Sequence, residues 1–278
     1  MPRLMHAVVG LAAMLAAPRL ASAQHHHHHH DAAPHDAGGE HHHHDHPAPR
    51  PWALAASVSA LAGAADLLGE PRDYQGLGVG VNAAWGRVSG HAMLAAYRVD
   101  GEGVGVGDAM VGAAVDLLPA SAPFQLGLTG MAMLPTGDAD AGRGMGHVLI
   151  GAGAWLRAAR GRGAIAIAAQ WARALGDGAE HAAHQHGGQD GWPLVDPMNP
   201  SEVVVDAAAT ARLVPGRLRA GAAVTWATPV ELDGEVRVIV AGLLGVEHGR
   251  CAVDVRLGAP VVGDPYVARG TIELGYRF

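Results

Sequence analysis

Lysine is missing from this chain of 278 residues, and all nineteen of its basic residues are arginine. Residues 1–23 hold two of those arginines and no acid. The rest carries seventeen arginines against 26 acids, a charge of −9 with histidine neutral. That balance gives nucleic-acid binding no support. Cysteine occurs once, at Cys251, which excludes an intramolecular disulfide. At a position expected to face lipid, Cys251 reads as a small apolar residue. Aromatics are few, with two Phe, four Tyr and six Trp. Nearly half the residues are hydrophobic, yet Ala and Gly dominate. A soluble domain so poor in Phe, Ile and Leu would struggle to fill a dense core. A barrel whose outer face is solvated by lipid needs no such core. No run is long and apolar enough to cross a bilayer of about 30 Å as a helix.

What is present is alternation. From Tyr266 to Phe278, the residues Tyr266, Ala268, Gly270, Ile272, Leu274, Tyr276 and Phe278 are apolar or small. The intervening Val267, Arg269, Thr271, Glu273, Gly275 and Arg277 hold every charge. A period of two sends these sets to opposite faces of a strand, one suited to lipid and the other to a watery lumen. The strand ends on an aromatic residue, as bacterial outer-membrane barrels do, and such a C-terminal strand is expected to engage the barrel-assembly machinery. Similar alternation marks Glu202–Arg212, Glu235–Val246 and Val253–Leu257. About twelve strands are expected, over roughly 52–63, 76–86, 90–98, 104–117, 124–134, 147–158, 163–175, 202–213, 217–227, 235–246, 250–261 and 266–278. An even count suits an up-and-down antiparallel transmembrane barrel.

The connections alternate too. Odd ones include the long Ala64–Gln75, Pro135–Gly146 and Leu175–Ser201. Even ones are tight, such as Gly86–Gly90, Arg160–Gly163 and Glu247–Arg250. Short periplasmic turns and longer outside loops have this pattern, which puts both termini in the periplasm. The aromatics suggest two interfacial girdles. Trp52, Trp85, Phe124, Trp155, Tyr276 and Phe278 fall toward one set of strand ends, and Tyr97, Trp171, Trp226 and Tyr266 toward the other. The expected organisation is a secretory signal at 1–23, with Arg3, an apolar stretch over Ala7–Ala17 and a small-residue cleavage site at Ala21-Ser22-Ala23. A disordered His-rich periplasmic tail at 24–51 and an all-β outer-membrane barrel at 52–278 follow.

Two segments carry a family resemblance. Gly105-Val-Gly-Asp108 opens one strand, and the next ends Leu134-Pro-Thr-Gly-Asp138. This pair resembles the outer-membrane transporter family named for the meta pathway of phenol degradation. The resemblance is best over about residues 104–160. It implies an outer-membrane barrel that passes small, often hydrophobic molecules. The His-rich tail is no part of that pattern. Read as structure, Pro135 suits a strand end, Gly137 a tight turn, and Asp138 a cap on it. Asp108 is expected in the lumen, within reach of an arginine partner there.

The chemical signal lies in histidine. The tail holds His25, His26, His27, His28, His29, His30, His35, His41, His42, His43, His44 and His46. The second run, broken by Asp45, marks a natural His-rich segment rather than an expression tag. The fourth outside loop adds His181, His184 and His186. Neutral imidazole binds Zn, Cu and Ni, though a homopolymer run encodes no fixed site. Metal handling at both membrane faces and a merely solvated low-complexity segment both fit this composition. No cofactor is required, and any Zn, Cu or Ni is expected to bind weakly. Met110, Met131 and Met133 take lumen parity and read as gap-filling packing. The lumen set is Asp108, Asp116, Gln125, Thr129, Asp206, Arg212, Arg219, Arg237, Asp254, Arg256, Arg269, Glu273 and Arg277. No motif joins a histidine to a nucleophile, so no enzyme is expected. Two functions remain in view. One is a passive outer-membrane channel for small solutes or metal ions; the other is a metal-binding envelope protein with a closed barrel.

Overall fold

The computed structural model describes residues 52–67, 70–175, 201–214, 217–230, 236–263 and 266–278. The leader, the tail histidines and His181, His184 and His186 lie outside these residues. The described chain is all β. Its strands are β1 (Trp52–Leu67), β2 (Glu70–Trp85), β3 (Val88–Val99), β4 (Gly103–Val106), β5 (Ala109–Asp116), β6 (Phe124–Leu134) and β7 (Val148–Arg160). They continue with β8 (Gly163–Leu175), β9 (Ser201–Val214), β10 (Leu218–Pro229), β11 (Arg237–His248), β12 (Cys251–Val262) and β13 (Tyr266–Arg277). Every neighbour pairs antiparallel, and β1 pairs with β13, which closes the sheet. Closure removes the exposed edges that an open sheet would leave.

Thirteen strands make twelve barrel staves. Both β4 and β5 pair with β3. Between Val106, opposite Ala96, and Met110, opposite Met93, the β4–β5 course carries one residue more than its partner. That β-bulge at Gly107–Asp108 divides the stave expected over 104–117. The first hairpin also differs from expectation. Ala64–Gln75 is mostly strand, with Asp66 and Leu67 paired to Pro71 and Glu70. The connection between β6 and β7, residues 135–147, is folded, and its second half from residue 141 is mostly buried.

The tight ends follow a sequence rule. Trp85 pairs with Val88, Arg160 with Gly163, and His248 with Cys251. Each pair encloses a Gly-Arg dipeptide whose glycine has φ near +60°. Two-residue hairpins need a positive φ there, which glycine adopts without a Cβ clash.

Outward positions bear bulky apolar groups, exposed in isolation, among them Leu77, Val79, Ile165, Leu257, Ile272 and Leu274. Inward positions are small or polar. In β8 the two faces differ in size rather than polarity. Ile165, Ile167 and Trp171 point out, while Gln170, Ala172 and Ala174 are buried inside.

Three aromatics depart from the girdles. Tyr97 and Tyr266 are about 4% and 3% exposed. Both pack on Tyr74 inside the barrel, with ring centroids 6.0 Å from it. Tyr266 turns inward because the register slips. Ala64 faces Ala268 but Ala65 faces Tyr266, so Val267 is a bulge that reverses the alternation. Trp155 pairs with Gly127, and its ring occupies the space where a Cβ on Gly127 would stand. Trp171 and Trp226 stay exposed on the outer face. In lipid vesicles, a variant retaining Trp155 alone is expected to escape quenching by brominated acyl chains. A variant retaining Trp226 alone is expected to be quenched. Equal quenching would place Trp155 on the outside.

Candidate channel lumen

The inner wall has two chemically distinct halves. On β9–β13 it is charged. Glu202 is fully buried, and its Oε2 accepts from Arg237 Nη2 at 2.6 Å. The pair reaches from β9 to β11 across β10, where the inward residue beside it is the small Ala227. Asp206 Oδ1 accepts from Thr225 Oγ1 at 2.7 Å, and Arg256 Nη2 stands 3.8 Å from the same oxygen. Arg256 also donates to Thr225 Oγ1 at 3.0 Å. Arg219 is paired with Asp254 and lies 3.7 Å from Glu247. It reaches Asp254 by crossing over Gly245, where a Cβ would meet the Arg219 Cγ at 2.9 Å and Asp254 Oδ1 at 2.5 Å. These pairings lay the long side chains along the wall instead of across the lumen.

The other expected lumen residues are spread along the same wall. Glu273 faces Asp254 and hydrogen-bonds Ser57. Arg269 sits over the Tyr266 ring, 4.0 Å from its centroid. Arg212 is opposite Arg219 near the tight-turn rim, and Arg277 reaches the Gly249 carbonyl at 3.5 Å. Asp116 is across the barrel, with Arg157 and Arg87 as its charged neighbours. Beside the charged wall, at the tight-turn end, is a cavity of about 200 Å³. Arg219, Arg250, Arg256, Asp254, Glu273 and Arg277 contribute to its lining. The space holds several waters or one small solute, given a liquid-water share of about 30 Å³ per molecule.

Away from the tight turns, β3–β8 line the wall with methionine. Met110, Met131, Met145, Leu149 and Ala172 form a buried cluster, with Met93 and Met133 packed against it. His91 Nε2, His147 Nε2 and Trp155 Nε1 are buried without a hydrogen-bond partner among the described residues. Such an orphaned polar atom costs about 1–3 kcal/mol. Burial pushes the His147 imidazole down from its ordinary pKa, while Asp108 and a hydrogen bond to the Met145 backbone pull it up.

Among the described residues, no arginine pairs with Asp108, and backbone N–H groups hold it instead. Its Oδ1 accepts from the Gly137 N–H at 2.9 Å, and its Oδ2 accepts from the Met145 N–H at 2.7 Å. Thr136 Oγ1 donates to the Gly107 carbonyl at 2.8 Å and accepts from the Ala109 N–H at 2.9 Å. At the bulge, Asp108 meets the connection between β6 and β7. The Gly-Val-Gly-Asp and Pro-Thr-Gly-Asp segments therefore interlock. Asp138 accepts from the Ala141 N–H and pairs with Arg143 at 3.0 Å. Arg143 also donates to the Glu102 carbonyl at 2.9 Å, tying the connection to the neighbouring hairpin.

Glu202 faces inward with Asp206, as the alternation of β9 predicts. Trp155, Arg157 and His91 also face the lumen and are not in the expected set; the alternation of β7 puts Arg157 and Trp155 on one face. Among the described residues, no group of three or more His, Cys, Asp or Glu is placed to hold a metal.

This fold has solved counterparts. The barrel is similar to the COG4313 outer membrane channel from Pseudomonas putida F1, with a TM-score of 0.57 and 14% identity over 84% of this chain and 97% of that one. It is also similar to the NanC porin, with a TM-score of 0.50 and 9% identity over 81% and 98%. No protein-family model and no curated protein matches the sequence. At these identities the likeness is one of architecture, an outer-membrane channel barrel in both cases.

Proposed function

We propose that this chain is an outer-membrane channel for passive passage of small solutes, with divalent metal ions handled by its histidines. The observation that carries the reading is the charged inner wall beside a solute-sized cavity, inside a closed barrel with an apolar exterior. Lipid solvates that exterior, and the paired wall charges keep water and polar solutes inside. Twelve staves fall between the eight that side chains fill and the sixteen to eighteen that leave a wide pore. In this reading the tight Gly-Arg turns face the periplasm, and so does the tail. The histidines of residues 25–46 then stand at the inner mouth, and His181, His184 and His186 at the outer one. Imidazoles at both mouths raise the local concentration of Zn, Cu or Ni in this reading. The barrel-assembly machinery is the expected partner of the C-terminal strand.

Single-channel conductance of the refolded mature chain, with and without residues 24–50, tests this reading during titration with Zn, Cu and Ni. Steady conductance in both forms is expected, with metal block in the full chain that tail removal abolishes. Absence of conductance together with tight stoichiometric metal binding would replace the channel by a closed metal-binding envelope protein.

A further inference from the structure

Six methionines follow residue 23, and five of them gather on one patch of the inner wall. Met93, Met110 and Met133 form a row across β3, β5 and β6, since Met93 pairs with Met110 and Met110 with Met133. Met131 lies one inward position along β6, opposite Gly112. Gly112 also pairs with His91. Without a side chain there, the His91 ring covers Gly112, and a Cβ on that glycine would meet His91 Nε2 at 2.6 Å. The His91 ring thus lies over the residue that faces Met131, one strand spacing of about 4.8 Å away. Met145 reaches the same cluster from the outside connection. His147, two residues on, is about 6% exposed.

Packing accounts for thioethers that fill a gap. It does not account for imidazole nitrogens buried beside them without hydrogen-bond partners. Nor does the patch suit a hard or borderline divalent ion, since no carboxylate or thiol cluster among the described residues is placed to hold one. Thioether and neutral imidazole together select Cu(I) and ions like it. We propose that this patch binds a soft monovalent metal ion, Cu(I) or its analogue Ag(I), through the thioethers of Met110, Met131 and Met133 and through Nε2 of His91. The site lies inside the barrel, and its chemistry differs from that of the imidazole-only tail.

The test is methyl-carbon NMR of the full mature chain labelled at methionine, titrated with Ag(I) in chloride-free buffer. Met198, from the fourth outside loop, is the internal control. The methyl signals of Met110, Met131 and Met133 are expected to shift together and saturate, while Met198 stays in place. His91→Phe is expected to weaken binding at least about tenfold, as loss of one ligand implies. The paired change Met131→Leu and Met133→Leu, which conserves volume, is expected to abolish it. Gel mobility before and after heating checks that each variant is folded. Cluster signals that do not move in the unaltered chain, or a Met198 shift of equal size and midpoint, would overturn the proposal. Conductance plays no part in these readouts, so the channel reading stands or falls separately.

Discussion

Replacing Arg237 by alanine is expected to destabilise the refolded barrel by about 3–5 kcal/mol, the usual cost of stranding one partner of a buried ion pair. Glu202 is fully buried, and the Arg237 guanidinium stands 2.6 Å from its carboxylate. Without that guanidinium, a desolvated negative charge stays on the wall, or the carboxyl takes up a proton. The double change Arg237→Met with Glu202→Leu removes both charges and is expected to cost far less, because neither group is then left to be solvated. Urea unfolding in lipid vesicles, followed by tryptophan fluorescence, measures the difference. A loss below about 1 kcal/mol for the single change would mean that water reaches the pair, as at an exposed salt bridge. The comparison separates stability from specificity. A double variant that is stable but altered in conductance would show that the pair shapes the lumen rather than holding the barrel together.

Asp108→Ala should release the outside connection between β6 and β7. The carboxylate accepts two backbone N–H groups, from Gly137 and Met145, and so closes residues 138–144 from both ends. Hydrogen bonds to a charged group contribute about 1.5–3 kcal/mol each. Losing both raises local opening by on the order of 100-fold or more, at about 1.4 kcal/mol per factor of ten. Arg143 reports the change. It is about 8% exposed, held by Asp138 and by the Glu102 carbonyl. In the unaltered chain it is expected to resist trypsin. In the alanine variant a cut after Arg143 is expected, at a rate that follows the open population. Asp108→Asn keeps one acceptor oxygen and should fall between the two. Unchanged resistance in Asp108→Ala would show that the glycine packing holds the connection without the carboxylate. Gly137 and Gly144 already meet closely, a Cβ on either coming within 2.9 Å of the other's backbone.

Much of the barrel was legible in the sequence because its controlling signals are local. Alternation with period two is a property of single strands, and it gave the inward parity of Asp206, Arg237 and Arg256 without knowledge of any partner. Turn chemistry is equally local, since Gly86, Gly161 and Gly249 mark hairpins by a backbone conformation that other residues adopt with strain. Bulges break this legibility. One extra residue at Gly107–Asp108 and another at Val267 reverse the faces that parity assigns, and neither is visible without the opposing strand. Tyr266 therefore reads as interfacial and stands inside, and Asp108, at the other bulge, holds the connection between β6 and β7 through its backbone N–H groups.

Local signals along the chain set the class of the fold. Alternating strands of membrane-spanning length, tight and long connections in turn, and small inward side chains leave little besides a lipid-embedded barrel, because each signal acts within one strand or one turn. The chemistry of the lumen depends on contacts between strands. The crossing of Arg219 over Gly245 to Asp254, the Glu202–Arg237 pair spanning β10, and the gathering of five methionines on one patch all join residues far apart in the chain. Such contacts depend on register between staves, and register is set by the closure of all twelve together.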